Sequence, residues 1–200
     1  MAAISTDRVL RADAQRNQDR IVAAAHGAFA ELGYEVTMDE IARRAGVGAA
    51  TIYRRFPTKE RLLRAIFDTR IGELELAIAA AAAIPDPWEA LLAGIRALIE
   101  IQTANMVFLQ ALDQSGVMLE LKGEIEVRVF APLSDLFARA QASGQVRGDL
   151  DPEELPLLIQ MVTATAKHTP ACATPTSAMR YLTLLADALR TPSPSTLPRL

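Results

Sequence analysis

Residues 37–63 read Thr-Met-Asp-Glu-Ile-Ala-Arg-Arg-Ala-Gly-Val-Gly-Ala-Ala-Thr-Ile-Tyr-Arg-Arg-Phe-Pro-Thr-Lys-Glu-Arg-Leu-Leu, and this stretch contains the start signals of successive short helices. Thr37 is followed three residues later by Glu40, which predicts a capping box at a helix N-terminus. Val36 and Ile41 flank that start as the two apolar residues of a hydrophobic staple. The stretch therefore predicts a helix start at a single, well-marked position.

Two short helices follow from this start. The first begins at Met38 and has room for about two turns before Gly46. Val47 and Gly48 then connect it to a second short helix, and two such helices joined by a tight glycine-containing turn make a helix-turn-helix. Ile52 and Phe56 are four residues apart and are expected to pack on a preceding helix.

The remaining side chains of this stretch are of types that suit double-stranded DNA. Small residues at the start of the second helix allow close approach to base edges, and a threonine can donate or accept there. Tyrosine and arginine suit the flanking phosphates, and helix starts favour a phosphate through their free N–H groups. On spacing alone, a capped helical hairpin with a solvated basic face remains an alternative. The predicted DNA contacts are Thr37, Gly48, Ala49, Ala50, Thr51, Tyr53, Arg54, Arg55 and Lys59.

The flanking sequence predicts a helix on each side of this motif. Helix 1 is expected from about residue 14 to residue 32, with one buried face formed by Ile21, Ala25, Ala28, Phe29 and Leu32, and Gly33 ends it. Thr58 is placed to cap a long helix from Lys59 to about Ala83, which would be roughly 37 Å long. Such a helix can leave one domain and enter another, so we expect a boundary near residue 70.

Further helices are predicted to follow, and signals for strands are missing from the sequence. Helices are expected after Asp86-Pro87, over about 105–114, over about 119–143 with a kink or break at Gly123 and Pro132, after Asp151-Pro152 until Pro170, and over about 176–190. We predict an all-α protein with a flexible arm at 1–13, a DNA-binding domain at 14–70, a ligand-binding and dimerisation domain at 71–190 and a disordered tail at 191–200.

The apolar content and the distribution of charge indicate which class of protein this is. Half of the 200 residues are apolar, and the net charge is −3. Residues 1–70 hold 12 Lys or Arg against 9 Asp or Glu, whereas the other 130 residues hold 9 against 15. A basic front on an acidic body is expected where only the front meets a polyanion. The apolar run at 77–84 is far shorter than the ~20 residues of a membrane helix, so we expect a cytoplasmic protein without a membrane partner.

The sequence gives little support for catalysis. His26, His168 and Cys172 are the only imidazoles and the only thiol. Pro170 lies between His168 and Cys172 and prevents one helix from presenting both on one face. Neither a phosphate-binding glycine loop nor a nucleophile elbow is present. We therefore expect no enzyme, no cofactor and no metal.

The stretch from Thr37 to Leu63 resembles the DNA-binding domain of the TetR family of transcriptional regulators. The resemblance covers about residues 15–65 and includes the cap, the turn, Tyr53, Phe56 and Lys59 in register. It implies a homodimer of chains with about nine helices, in which a divergent C-terminal domain binds an inducing small molecule. Members of the family often have Ser or Thr where Gly48 stands, which predicts a weaker helix cap here.

The two last predicted helices are apolar on most of their circumference, so most of their surface must be covered. A second copy of the chain is the economical cover, and the resemblance implies a four-helix dimer interface at these helices. Burial of both helices inside one chain is the alternative. The predicted interface residues are Leu155, Leu158, Ile159, Val162, Met179, Leu182 and Ala186.

A ligand pocket is harder to identify in sequence, because methionine and aromatic residues fill cores as well as pockets. The candidates are Trp88, Met106, Phe108, Met118, Phe130, Met161 and His168. The resulting prediction is a dimeric repressor that a small hydrophobic ligand releases from a pseudo-palindromic operator. The alternatives are an activator, a regulator without a ligand, or a helical small-molecule-binding protein that no longer binds DNA.

Overall fold

The computed structural model describes residues 2–168, 175–192 and 197, with side chains described for residues 14–163, 177–192 and 197. These residues form ten α-helices and no strand, which confirms the predicted all-α class. The helices are α1 (Ala2–Leu32), α2 (Met38–Ala45), α3 (Ala49–Arg55), α4 (Lys59–Ala82), α5 (Pro87–Ala104), α6 (Met106–Gln114), α7 (Val117–Ile125), α8 (Ala131–Ala142), α9 (Leu155–His168) and α10 (Pro175–Leu189). Cys172 and most of the predicted tail lie outside the described residues.

Internal contacts divide the chain into two compact units. The first contains residues 2–69 and 107–120, and the second contains residues 70–106 and the described residues after 120. Residues 107–120 thus belong to the first unit, although they come from within the predicted second domain. Among the described residues no single helix is long and apolar enough to cross a membrane. Helices α5 and α6 reach that length and hydropathy only together, and the chain bends by 72° between them.

Helix α1 ends at Leu32 as predicted, but its start and the burial of its last residue differ from the prediction. It begins at Ala2 rather than near residue 14, so residues 2–13, expected to be a flexible arm, are helical. Alanine is the strongest helix former, and neither Gly nor Pro interrupts the sequence before Gly27. At its other end, Leu32 was expected in the buried face but is 50% exposed, because the chain leaves the helix for a 3₁₀ turn at this residue.

The core of the first unit forms where the helix periodicity predicted it. Ile21, Ala25, Ala28 and Phe29 of α1 are all buried. Phe108 of α6 is buried as well and packs edge-on against two rings of α1, with centroids 5.6 Å from His26 and 6.5 Å from Phe29. Helix α6 therefore completes the core that α1 begins.

Within the second unit, α5 packs on α8 at an unusually close approach. Gly94 is buried, and a Cβ atom at this position would lie 2.8 Å from Cδ2 of Leu133 and 3.0 Å from Cδ1 of Leu136. Real Cβ contacts are longer than that, so glycine allows the two helices to pack at this distance.

The break predicted near Pro132 is a π-helical turn, Glu126–Phe130, between α7 and α8. Proline lacks an N–H group and crowds the carbonyl four residues earlier, which favours a wider turn in the residues before it. The turn is tied to α4 by Arg128, whose guanidinium donates two hydrogen bonds of 2.7 and 2.8 Å to the Glu75 carboxylate. The helix predicted over about 119–143 is thus interrupted before Pro132 as predicted, whereas the break predicted at Gly123 is wrong, because α7 continues through that residue.

The end of α10 is held by the loop that follows α8. Arg147 is buried, and its guanidinium donates to Asp149 at 2.6 and 2.8 Å, while its backbone N–H donates to the carbonyl of Leu189. Asp149 also accepts a hydrogen bond from the backbone N–H of Leu197 at 3.0 Å. The Asp149 carboxylate therefore accepts hydrogen bonds both from Arg147 of the loop and from the C-terminal segment at Leu197.

Candidate nucleic-acid interface

Helix α2 starts as the sequence predicted, but one half of the capping box is different. The Thr37 hydroxyl accepts a hydrogen bond from the backbone N–H of Glu40 at 3.2 Å, and Val36 and Ile41 are buried. The Glu40 carboxylate does not reach back to the cap. It instead accepts hydrogen bonds from two arginines in the last turn of the same helix, because charge-assisted hydrogen bonds are stronger than a bond to a neutral amide.

The turn between α2 and α3 depends on Gly46. Its φ of 65° lies in the left-handed region, where glycine has no Cβ penalty, and its N–H closes the end of α2 on the carbonyls of Ala42 and Arg43. Gly48 follows with extended backbone angles and is the N-cap of α3, but it offers no side-chain cap. Gly48 thus occupies the predicted N-cap position, and the weaker cap stays a prediction.

Helix α3 has a single buried residue, Ile52. Phe56, which directly follows the helix, is buried too, so both residues predicted to pack inward do so. The predicted contacts point outward or lie half-buried at the edge of the helix: Ala49, Ala50, Tyr53, Arg54 and Arg55 are exposed and Thr51 is half-buried. Helix α3 thus offers a continuous polar and small-residue surface of the kind that can enter the major groove of DNA.

The arginines of α2 are neutralised within the chain. Arg43 donates to Glu40 at 2.7 and 2.9 Å, and Arg44 donates to Glu40 at 2.9 Å and to Glu31 at 2.7 Å. The hydrogen bonds from Arg43 and Arg44 lower the pKa of the Glu40 carboxyl to about 2. Positive charge on α2 is therefore largely compensated before any polyanion approaches.

Among the described residues, neither arginine of α3 pairs with a carboxylate. Arg54 is exposed and forms no hydrogen bond or ion pair with any other described residue. Arg55 donates to the side-chain oxygen of Gln18 on α1, which is a neutral group. Neither guanidinium is therefore neutralised by a carboxylate of the described residues, in contrast to those of Arg43 and Arg44.

Gln18 is a residue that the sequence did not point to. With Asn17, Thr51 and Arg54 it lines a depression of about 490 Å³ between α1 and α3. The only signal available in the sequence is its helical spacing from Ile21, which is buried beside α3. Helix α1 therefore contributes polar groups directly beside the surface of α3.

The Lys59 side chain is held in place by two contacts with Tyr34. Its ammonium donates to the carbonyl of Tyr34 at 2.8 Å and lies 4.4 Å from the centroid of the Tyr34 ring. The Tyr34 hydroxyl in turn donates to Glu60 at 3.2 Å, and burial together with the Glu60 charge raises the pKa of Tyr34. An ammonium has three donors, so Lys59 keeps donors for a phosphate while its position is fixed.

The ligand candidates predicted in the sequence are dispersed. Phe108 and the half-buried Met118 belong to the first unit, whereas the half-buried Met106 and Phe130 belong to the second. Met161 is 71% exposed, and the side chain of His168 lies outside those that the structure describes. Trp88 is the candidate that borders a depression, and it is buried.

Most of the predicted interface residues are covered by their own chain. Five of them are buried, and Leu158 and Met179 are half-buried, because α9 and α10 turn these faces toward the core of the second unit. The exposed large apolar side chains of the two helices are others, namely Leu157 at 62%, Met161 at 71% and Leu184 at 59%. A partner can cover these exposed side chains while the buried residues of the same helices stay in the core.

Comparisons with known proteins agree with this geometry. Residues 21–66 match the family model described as bacterial regulatory proteins, tetR family, and residues 86–191 match that of the C-terminal domain of SbtR-like transcriptional regulators. The transcriptional regulator SrpR of Pseudomonas putida is 28% identical over 72% of this chain and 70% of its own. The transcriptional repressor KstR of Mycobacterium tuberculosis is 29% identical over 74% and 69%. The crystal structure of a TetR transcription regulatory protein from Mycobacterium vanbaalenii shares 34% identity and a TM-score of 0.68 over 91% of this chain and 99% of that one.

Proposed function

This chain belongs to the TetR family of bacterial regulatory proteins, and we propose that it is a homodimeric repressor that a small hydrophobic ligand releases from a pseudo-palindromic operator. That it is a transcriptional regulator follows from family membership. The observation that carries DNA binding is the outer surface of α3, where Tyr53 and Arg54 are exposed and no carboxylate of the described residues pairs with Arg54. Repression is supported by KstR, a relative that is itself named a repressor.

A homodimer is supported by the apolar face that α9 and α10 leave uncovered. Leu157 and Met161 are four residues apart on α9 and form one exposed stripe, and Leu184 is exposed on α10. Exposed apolar residues grouped in this way mark interaction surfaces. We propose this face for the dimer contact, in place of the stripe formed by Leu155, Ile159 and Val162.

The dimer also determines what DNA the protein would bind. Two copies related by a two-fold axis present two α3 helices, so the operator should contain two half-sites of opposite orientation, roughly 34–36 Å apart or somewhat more. A ligand that releases such a dimer must bind better to the DNA-free form, and by linkage the operator must weaken ligand binding by the same factor. We propose no catalytic activity, and we propose that the protein acts in the cytoplasm.

Fluorescence anisotropy with a labelled fragment of the upstream region of the protein's own gene tests DNA binding. We expect a complex that weakens steeply with salt and that is lost in Arg54→Ala at moderate salt. Arg43→Ala is the matched control, since its guanidinium is already paired. Affinity that does not respond to salt, or an equal loss in both variants, would contradict the proposal.

Light scattering tests the dimer. The wild-type protein should have the mass of two chains at micromolar concentration, and Met161→Asp should dissociate it by placing a charge in an apolar contact. Because Met161 is exposed in the single chain, the variant should keep its helical circular dichroism. A wild-type monomer, or a Met161→Asp dimer of unchanged stability, would exclude this face.

A further inference from the structure

A depression of about 390 Å³ lies between α5 and α10, wholly within the second unit. Three of its apolar lining residues, Trp88, Leu182 and Ala186, are buried. Leu92 and Met179 form its sides and are half-buried. This volume lies in the range of small-molecule sites, which combine an apolar lining with a few polar groups.

The rim of the depression is positively charged. Arg96 and Arg190 line it from α5 and from the end of α10, against one carboxylate, that of Asp187. Arg190 places its guanidinium 4.8 Å from the centroid of the Trp88 ring, where the ring and the cation attract each other. An apolar lining beside two cations is complementary to a molecule with an apolar body and an anionic end.

The two arginines are not equivalent. The pKa of Asp86 is lowered mainly by the hydrogen bond from the Glu89 N–H and to a lesser extent by Arg190, so part of the Arg190 charge is compensated from outside the depression. Arg96 is exposed and forms no hydrogen bond or ion pair within the part of the chain that the structure describes. Arg96 is therefore the cation that can take up an anion without giving up a partner.

We propose that this depression binds a small amphipathic anion, with an aromatic or alkyl body against Leu92 and Met179, close to Trp88, and a carboxylate or sulfonate at Arg96. Burial of the apolar body supplies the affinity and is roughly proportional to the area removed from water. The charge at Arg96 supplies orientation and selects anions over neutral analogues. The inference does not depend on DNA binding, because every group in it belongs to the second unit.

Trp88 makes the site directly observable, because it is the only tryptophan of the chain. The probe is 8-anilinonaphthalene-1-sulfonate, which should quench Trp88 fluorescence as it binds. Its uncharged analogue N-phenyl-1-naphthylamine should bind more weakly. Arg96→Gln should weaken sulfonate binding about fivefold to tenfold, as expected for a charge-assisted contact near the surface, and should leave binding of the neutral analogue unchanged.

The matched control is Arg180→Gln, which removes an exposed arginine of α10 that does not line the depression. It should bind the sulfonate like the wild-type protein. Equal dissociation constants in the two variants would overturn the proposal. Probe fluorescence without quenching of Trp88 would overturn it as well, since the probe would then lie on another apolar surface such as that of Leu157 and Met161.

Discussion

Helices α2 and α3 form one motif, and each carries two adjacent arginines, yet their charges have opposite consequences. Arg43 and Arg44 on α2 are engaged by Glu40 and Glu31. Among the residues that the structure describes, Arg54 on α3 has no hydrogen-bond or ion-pair partner, and the Arg55 guanidinium donates to a neutral amide. Counting basic residues would rank the two helices as equal, whereas the pairing of each guanidinium assigns the available charge to α3.

The two helices also differ in how they are anchored. Helix α2 buries Met38, Ile41, Ala42 and Ala45, whereas α3 buries only Ile52. A helix that buries little can present most of its surface outward, but its position then depends on very few contacts. Helix α2 therefore fixes the position of the motif on the core of the first unit, and α3 provides its exposed surface.

Removing the single anchor of α3 should have the largest effect. We expect Ile52→Ala to lower the free energy of unfolding of the first unit by about 2–5 kcal/mol, because a fully buried side chain is replaced by a cavity. Amide hydrogen exchange should accelerate more in α3 than in α2, which keeps its own buried residues.

Ile41→Ala is the matched variant, because Ile41 is also fully buried but belongs to α2. It should cost a similar free energy while the acceleration extends over both helices. If Ile52→Ala accelerated exchange uniformly across α2 and α3, the two helices would open as one unit and the comparison would fail.

The charge difference should appear in the salt dependence of DNA affinity. Removal of one phosphate-binding cation reduces the slope of log K against log salt by about 0.9. We expect that change for Arg54→Ala and none for Arg43→Ala, measured by anisotropy at several salt concentrations. A flattened slope in Arg43→Ala would show that Glu40 releases this arginine when DNA binds.

Sequence reasoning located the motif because its signals are local. Thr37, Gly46 and Ile52 act through neighbours within a turn or two of helix, and all three have the predicted role in the structure. Pairing between distant segments left no such signal. The contact from Arg55 to Gln18 joins residues that the sequence separates by 37 positions, and no spacing rule identifies it.

The same limit explains the faces of α9 and α10. Both helices are apolar on two sides, so periodicity could not decide which side the chain itself would cover. The structure turns Ile159 and Leu182 inward and leaves Leu157 and Leu184 exposed. The sequence of a helix that is apolar on two faces therefore indicates that both faces are to be covered. It does not predict which face its own chain covers and which face a partner contacts.

The hydrogen bonds of Glu40 with Arg43 and Arg44 should make the stability of the first unit depend on pH. A carboxylate with a pKa of about 2 in the folded state and an ordinary value near 4.5 in the unfolded state stabilises the fold fully above pH 4.5. This contribution is lost as the pH falls from 4.5 toward 2. We expect Glu40→Gln to remove this component, so that urea unfolding of variant and wild type differs near pH 7 and converges near pH 2.

The wild type and Asp39→Asn provide the control for that experiment. Asp39 is exposed and lies beside Glu40 on the same helix. Its replacement should leave the stability difference between the two pH values nearly as in the wild type. A parallel change in both variants would mean that general surface charge, and not the pairing of Glu40, sets the pH dependence.

The smallest expected effect concerns the caps. Helix α2 has a threonine cap and α3 begins at Gly48 without one, and a Cβ atom at Gly48 would meet no heavy atom of the described residues within 4 Å. Gly48→Ser should therefore raise the free energy of unfolding by a few tenths of a kcal/mol, since serine exceeds glycine as an N-cap by about that amount. Thermal unfolding of Gly48→Ser against Gly48→Ala separates the cap from the general effect of replacing glycine, and equal stability of the two would show that the hydroxyl forms no cap.

The close packing at Gly94 has a consequence for how this sequence can change over generations. A larger residue at Gly94 must displace Leu133, and a smaller residue at Leu133 leaves a void against Gly94, so each replacement alone destabilises the fold. Together the two replacements offset each other, because the volume gained at one position fills the volume lost at the other. A lineage that exchanges both residues one after the other passes through an intermediate that is less stable than either end point, and the two positions are therefore expected to be inherited as a pair.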